Sequence, residues 1–261
     1  MIGQSRRTVL GGIGGALLAL AGCTGGSPRS GAFTRTAVEG QELIVEFDED
    51  LGPETIAVID PDGESFAETP VSTGATRVSF DIEIPYKPGE YEVLATDGDD
   101  VIKETTVDIA PALEVVDVGV GANRMDEMHD DLGVTKASEA IITIRNRGTG
   151  PEEIAQLLFL GDLPNPNDPQ EDRVGIFDPE ESREARDPIL LAGGEDLTLF
   201  SSTLPFSFGG DGINCQADPQ TGQMEVRIRG RVEEQISHIY HIEYTASGSY
   251  DGCDIVIQEE I

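Results

Sequence analysis

Residues 77–84 read RVSFDIEI, in which Val78, Phe80, Ile82 and Ile84 alternate with Arg77, Ser79, Asp81 and Glu83. Successive side chains of an extended chain point to opposite faces, so this stretch has one apolar and one polar face only as a β-strand. An antiparallel strand with one side covered satisfies both faces. The pattern recurs in QELIVEF (41–47), ETIAVID (54–60), EYEVLAT (90–96) and VIKETTVDI (101–109). No apolar run with a helical period lasts beyond about a dozen residues. Between the runs lie DPDGE (60–64), YKPGE (86–90) and DGDD (97–100), where Pro fixes φ and Gly accepts positive φ. Short alternating runs punctuated by turns predict a β-sandwich over 38–110.

A second unit begins after Pro111. Leu113, Val115 and Val118 open a strand, ASEAIITIRN ends in Asn146-Arg147-Gly148-Thr149-Gly150, and ILLAGGEDLTLF (189–200) is a turn followed by a strand. The C-terminal part predicts two long strands, 224–232 and 236–246, flanking Glu233-Glu234-Gln235 as a hairpin. Arg227, Arg229 and Arg231 share one face of the first of them. They form either an anion-binding stripe or a face paired with neighbouring carboxylates, and the acidic composition favours the pairing. Between the strand pieces, 161–188 is long, polar and Pro-rich; insertions of this kind are functional or disordered. A short helix is expected over 179–186.

IPYKPGEYEV, 84–93, resembles the late hairpin of bacterial and archaeal immunoglobulin-like domains. The strand, N-x-G-T, glycine turn and strand over 113–200 are similar to the adhesion-related sandwich domains called CARDB. The resemblance implies an all-β chain of two immunoglobulin-like β-sandwich domains, 38–110 and 111–261, the second carrying the insertion 161–188. It also implies a binding or adhesion role rather than catalysis.

The N-terminus supplies an address. Arg6 and Arg7 precede an uncharged small apolar run, residues 9–22, that ends at Cys23. The run is short of the ~20 residues of a membrane span and suits the apolar part of an export signal. SRRTVL resembles a twin-arginine signal, and Leu20-Ala21-Gly22-Cys23 resembles a lipobox whose cysteine carries lipid. The resemblance implies a signal peptide over 1–22, a flexible linker over 23–37 and an exported lipoprotein whose membrane partner is reached through lipid on Cys23. Two acyl chains anchor stably, at ~0.8 kcal/mol per buried CH₂. The alternative, an uncleaved N-terminal anchor, leaves the protein on the same membrane face.

Fifty acidic residues against seventeen basic ones give a net charge of −33, and the chain has no Trp. Removing Arg6 and Arg7 with the leader leaves fifteen basic residues and a net charge of −35. Such a composition resembles that of extreme halophiles, haloarchaea among them; an acidic mesophilic surface protein is the alternative. High salt screens the self-repulsion. No basic stripe exists to displace counterions, so nucleic acid is not an expected partner; another envelope protein or a surface polymer is. Two cysteines remain beyond Cys23, and in an exported chain Cys215 and Cys253 predict one disulfide, a metal or redox pair being the alternative.

Little suggests reaction chemistry. His238 and His241 are three apart in one predicted strand and fall on opposite faces. His129 lies in NRMDEMHDD (123–131), expected to be an acidic loop, with a Met/His metal site as the alternative. Asp60-Pro61-Asp62-Gly63 lacks the spacing of a calcium loop and predicts a turn. No nucleophile elbow, zinc-protease motif, phosphate loop or dinucleotide fingerprint is present. Neither a cofactor nor a catalytic residue is expected. The expected role is a surface lipoprotein that binds; an accessory ligand- or metal-binding lipoprotein of an envelope enzyme or transporter is the alternative.

Overall fold

A computed structural model of the chain describes residues 31–130, 135–208, 212–246 and 253–260. The described residues form strands and short 3₁₀ turns, with no α-helix among them. In the first unit the strands are β1 (Phe33–Glu39), β2 (Glu42–Phe47), β3 (Thr55–Ile59), β4 (Ser65–Pro70), β5 (Arg77–Asp81), β6 (Gly89–Asp97) and β7 (Asp100–Ile109). They form two antiparallel sheets, β1-β2-β5 and β4-β3-β6-β7. Leu43, Val45 and Phe47 face Ile56, Val58, Tyr91 and Val93 across the core, joined by Phe80 and Ile82. Each such side chain contributes about 1.5–3 kcal/mol by leaving water. The apolar face read in 77–84 is real, although β5 itself stops at Asp81.

The first strand starts at Phe33, so the linker expected over 23–37 is shorter than its sequence suggested. Neither β1 nor β4 buries a residue fully, and their sequences alternate weakly for that reason.

The second unit repeats the plan. Its strands are β8 (Leu113–Val120), β9 (Ala140–Asn146), β10 (Glu152–Gly161), β11 (Ile176–Asp178), β12 (Arg183–Glu184), β13 (Ile189–Leu191), β14 (Asp196–Ser201), β15 (Gln220–Gly230), β16 (Ile236–Ala246) and β17 (Cys253–Glu260). One sheet runs β12-β11-β14-β9-β8 and the other β13-β10-β15-β16-β17. Remove β11, β12 and β17, and what remains is the three-on-four order of the first unit. Both units are immunoglobulin-like sandwiches in which the fourth strand pairs with the third. A bulge between Val115 and Asp117 explains the odd spacing of Val115 and Val118, which both face the core.

The helix expected over 179–186 is instead the β11–β12 hairpin, with Phe177 opposite Glu184 and Asp178 opposite Arg183. The Asp178 carboxylate accepts the Glu180 N–H at 2.9 Å and closes a turn, while the open edge of β14 pairs with Ile176 and Phe177.

The insertion covers a sheet edge. Short β13 pairs only with Glu152–Ile154, leaving the rest of β10 open on that side. The insertion closes it: Leu157 N–H donates to Val174 O at 2.8 Å, Asn167 N–H to Phe159 O at 2.8 Å, and Phe159 N–H to Asn167 Oδ1 at 2.8 Å.

The stretch Asn146–Gly150 forms the joint between the sandwiches. Asn146 is fully buried and uses its whole amide: Oδ1 accepts from Ala112 N–H and Gly148 N–H, and Nδ2 donates to Gly150 O and Leu191 O. Thr149 and Gly150 both donate backbone N–H to Ala110 O, at 2.9 and 3.0 Å, and Thr149 Oγ1 donates to Asp108 O at 2.6 Å. From the first sandwich the Tyr86 hydroxyl donates to Pro151 O at 2.9 Å; burial raises its pKa, with the nearby Glu152 adding to the effect. A Cβ on Gly150 would overlap the Tyr86 hydroxyl, and one on Gly148 would overlap Ala110 O, so both glycines are required by close approach. Val232, expected in a strand, lies in the β15–β16 turn and packs against the first core.

Candidate functional site

Glu152 builds the floor of the site. It is fully buried, and its carboxylate accepts backbone N–H groups from Glu153 (2.8 Å), Arg231 (2.8 Å), Val232 (2.9 Å) and Glu233 (2.6 Å). A charged acceptor suits a tight turn whose donors converge. The turn is therefore held against β10, and it carries Arg231 and Glu234 with it. On the facing wall, Gln156 donates its Nε2 to Glu171 O at 2.9 Å and Arg173 O at 2.7 Å, which fixes the insertion.

Between these walls is an open depression of about 330 Å³, lined by Ala155, Gln156, Asp172, Arg173, Arg229, Gly230, Arg231 and Glu234. A second, of about 420 Å³, is lined by Asn165, Asn167, Glu171, Arg173, Ser202 and Thr203 among others. Arg173 lines both, so the two adjoin. Buried Gln156 Oε1, Ser202 Oγ and Thr203 Oγ1 on these walls have no hydrogen-bond partner.

The arginine row divides. Arg227 pairs with Glu225 at 2.8 Å, as the acidic composition leads one to expect. No carboxylate lies within ion-pairing distance of Arg229 or Arg231 among the described residues. Arg173 reaches Glu171 at 3.4 Å and Glu184 at 3.3 Å.

Other sequence-predicted positions serve structure. His129 is not in an open acidic loop: its ring stacks on Phe177 at 4.3 Å and meets Phe200 edge-on at 5.0 Å. Its Nε2 lies 2.8 Å from the buried Glu139 carboxylate, which also accepts the Thr135 hydroxyl at 2.8 Å. The two aromatic rings come from distant strands, β11 and β14, so no local signal announced them. Met128 is buried and Met125 is half-exposed, and no cluster of three or more His, Cys, Asp and Glu groups suited to a metal occurs among the described residues. His238 and His241 lie on opposite faces of β16, as expected. In the 60–64 turn, Lys87 Nζ sits 2.9 Å from Asp60, 2.7 Å from Asp62 and 3.2 Å from Glu64, so the chain supplies its own cation there. The three carboxylates raise the Lys87 pKa, while the Glu64 N–H and Lys87 lower that of Asp60.

Cys215 and Cys253 are bonded, with Cα atoms 5.8 Å apart and a sequence separation of 38. The bridge ties the start of β17 to the segment before β15. A loop of that length is worth about 4 kcal/mol in the chain-entropy model. Reduction is therefore expected to lower the denaturation midpoint of the protein, which urea titration with and without reductant measures. Cys23, Arg6 and Arg7 lie outside the described residues.

No family model matches the chain, and no curated protein matches it. Among solved structures it is similar to a two-domain fibronectin type III segment of chicken tenascin, at 12% identity and a TM-score of 0.25, over 81% of this chain and 97% of that one. The ligand-binding domain of human OSCAR is similar at 12% identity and a TM-score of 0.22, over 85% and 92%. A glycosyl hydrolase family 2 member from Bacteroides cellulosilyticus is similar at 13% identity and a TM-score of 0.22, over 77% of this chain and only 23% of that one. The sandwich assignment rests on the sheet order itself.

Proposed function

We propose that this protein is a non-catalytic binding module, exported through a twin-arginine signal and held by lipid on Cys23 at the outer face of the membrane. Its partner there is an envelope component, a protein or a surface polymer. The observation that carries the binding role is the insertion: it is laid along β10 and builds two adjoining polar depressions on a rigid sandwich. The address rests on the order Arg6-Arg7, apolar run, Cys23 at the N-terminus. Gly31 already packs against Leu51 and Ala32 pairs with Asp48, so seven residues, Thr24 to Ser30, lie between Cys23 and the fold. Seven residues of flexible coil would reach roughly 15 Å, enough to lift the sandwich off the headgroups.

The test is fractionation of cells expressing the full chain. Wild type is expected in the membrane fraction, with a lipid mass increment on the peptide bearing Cys23. Cys23→Ser is expected to move the protein to the soluble fraction, and replacing both Arg6 and Arg7 by Lys to hold it inside the cell. Unmodified Cys23, or membrane attachment unchanged in Cys23→Ser, overturns the anchoring.

A further inference from the structure

Arg229 and Arg231 are the anomaly of this surface. In a chain of net charge −33, guanidinium groups find carboxylates readily: Arg35, Arg124, Arg145, Arg147, Arg183 and Arg227 each have one. Arg186, Arg229 and Arg231 have none among the described residues, and of these Arg229 and Arg231 line the same concavity, with Arg173 on the opposite wall. Their positions are fixed from beneath: Glu152 clamps the turn bearing Arg231, β15 carries Arg229, and Gln156 pins the backbone of Arg173. Arg173 already reaches Glu171 and Glu184, whereas Arg229 and Arg231 are held in place with no carboxylate of their own, which leaves two guanidinium groups for an external anion.

The rest of the lining says what kind of anion fits. Asp172 and Glu234 also face the depression. They accept hydrogen bonds from hydroxyl groups, of which a sugar ring offers several. Asn165, Asn167, Ser202 and Thr203 in the adjoining depression add neutral polar partners. Arginine matches a planar carboxylate with two parallel N–H bonds, whereas the acceptors on both walls need donors from the ligand. A volume of about 330 Å³ lies at the small end of ligand sites, and the second depression extends it.

We propose that the paired depressions bind an acidic sugar, a ring bearing one carboxylate and several hydroxyls, with Arg229 and Arg231 on the carboxylate and the carboxylates and amides on the hydroxyls. The assignment rests on the binding reading above but not on lipid anchoring, so Cys23→Ser and the sugar titration fail independently.

The test is isothermal titration calorimetry of the full-length chain at one fixed salt concentration with trigalacturonate, its neutral counterpart trigalactose, and inorganic phosphate. Trigalacturonate is expected to bind and the other two are not. Arg229→Gln and Arg231→Gln are each expected to weaken trigalacturonate by about tenfold or more, equivalent to losing one charge-assisted contact. Arg227→Gln, on the same strand but paired with Glu225, is expected to leave it unchanged. The circular dichroism melt of each variant establishes that it is folded; both target arginines lack ion pairs, so their loss leaves no buried charge. Absence of trigalacturonate binding, equal binding of phosphate or trigalactose, or binding indifferent to both Arg229→Gln and Arg231→Gln overturns the proposal.

Discussion

Glu152→Ala is expected to destabilise the second sandwich by about 3–5 kcal/mol. The carboxylate is fully buried and accepts N–H groups from Arg231, Val232 and Glu233. Arg231 N–H has a second acceptor in Glu153 O, but no other acceptor is seen for the Val232 and Glu233 N–H groups. Alanine removes every one of these bonds and adds an internal void. Glu152→Gln keeps the shape and one acceptor oxygen, so its cost is expected to be smaller. In a unit of this size the alanine variant melts roughly 10 °C lower. Chemical denaturation followed by circular dichroism measures it; a change within about 0.5 kcal/mol, the range of an ordinary surface substitution, would mean that water replaces the carboxylate. The turn also carries Arg231 and Glu234, so the same variant is expected to weaken ligand binding.

Gly150→Ala is expected to uncouple the two sandwiches. The new methyl group would overlap the Tyr86 hydroxyl and come within 2.9 Å of Ala110 N. The joint can absorb it only by moving the units apart, which breaks the bond from Tyr86 to Pro151 O and the bond from Gly150 N–H to Ala110 O. Each is worth about 1 kcal/mol net, and steric overlap adds to the loss. Scanning calorimetry is expected to show one cooperative transition for the wild type and two for the variant. Tyr86→Phe removes only the hydroxyl and is expected to cost about 1 kcal/mol while keeping a single transition. Superimposable thermograms for Gly150→Ala and wild type would refute the coupling.

The sequence revealed strands where both faces of a sheet dictate the side chains, and lost them elsewhere. Interior β3 and β6 alternate strongly because one side is sealed by the core, and β2 shows instead as an unbroken apolar run, Leu43 to Val45. Strands β1 and β4 bury no residue fully, so nothing enforces a pattern, and Ser65–Pro70 reads as a loop. The hairpin at Arg183 and Glu184 escaped because its pairing is dictated by the edge of β14, which no local window contains. Asn146–Gly150 stood out as a motif, but its role needed the approach of Ala110–Ala112. The site was half legible. Arg227, Arg229 and Arg231 visibly share a face; that one finds a carboxylate and two do not depends on which neighbours the fold delivers. Long-range partners likewise turned His129 from a loop residue into a core one.

The bridge between Cys215 and Cys253 closes a ring that contains the whole of β15 and β16. Traction applied at the C-terminal end is expected to unzip β17 from Glu260 back to Cys253 and then to pass through the sulfur atoms to Cys215, so the covalent ring keeps the hairpin and its arginine-bearing turn from being drawn out.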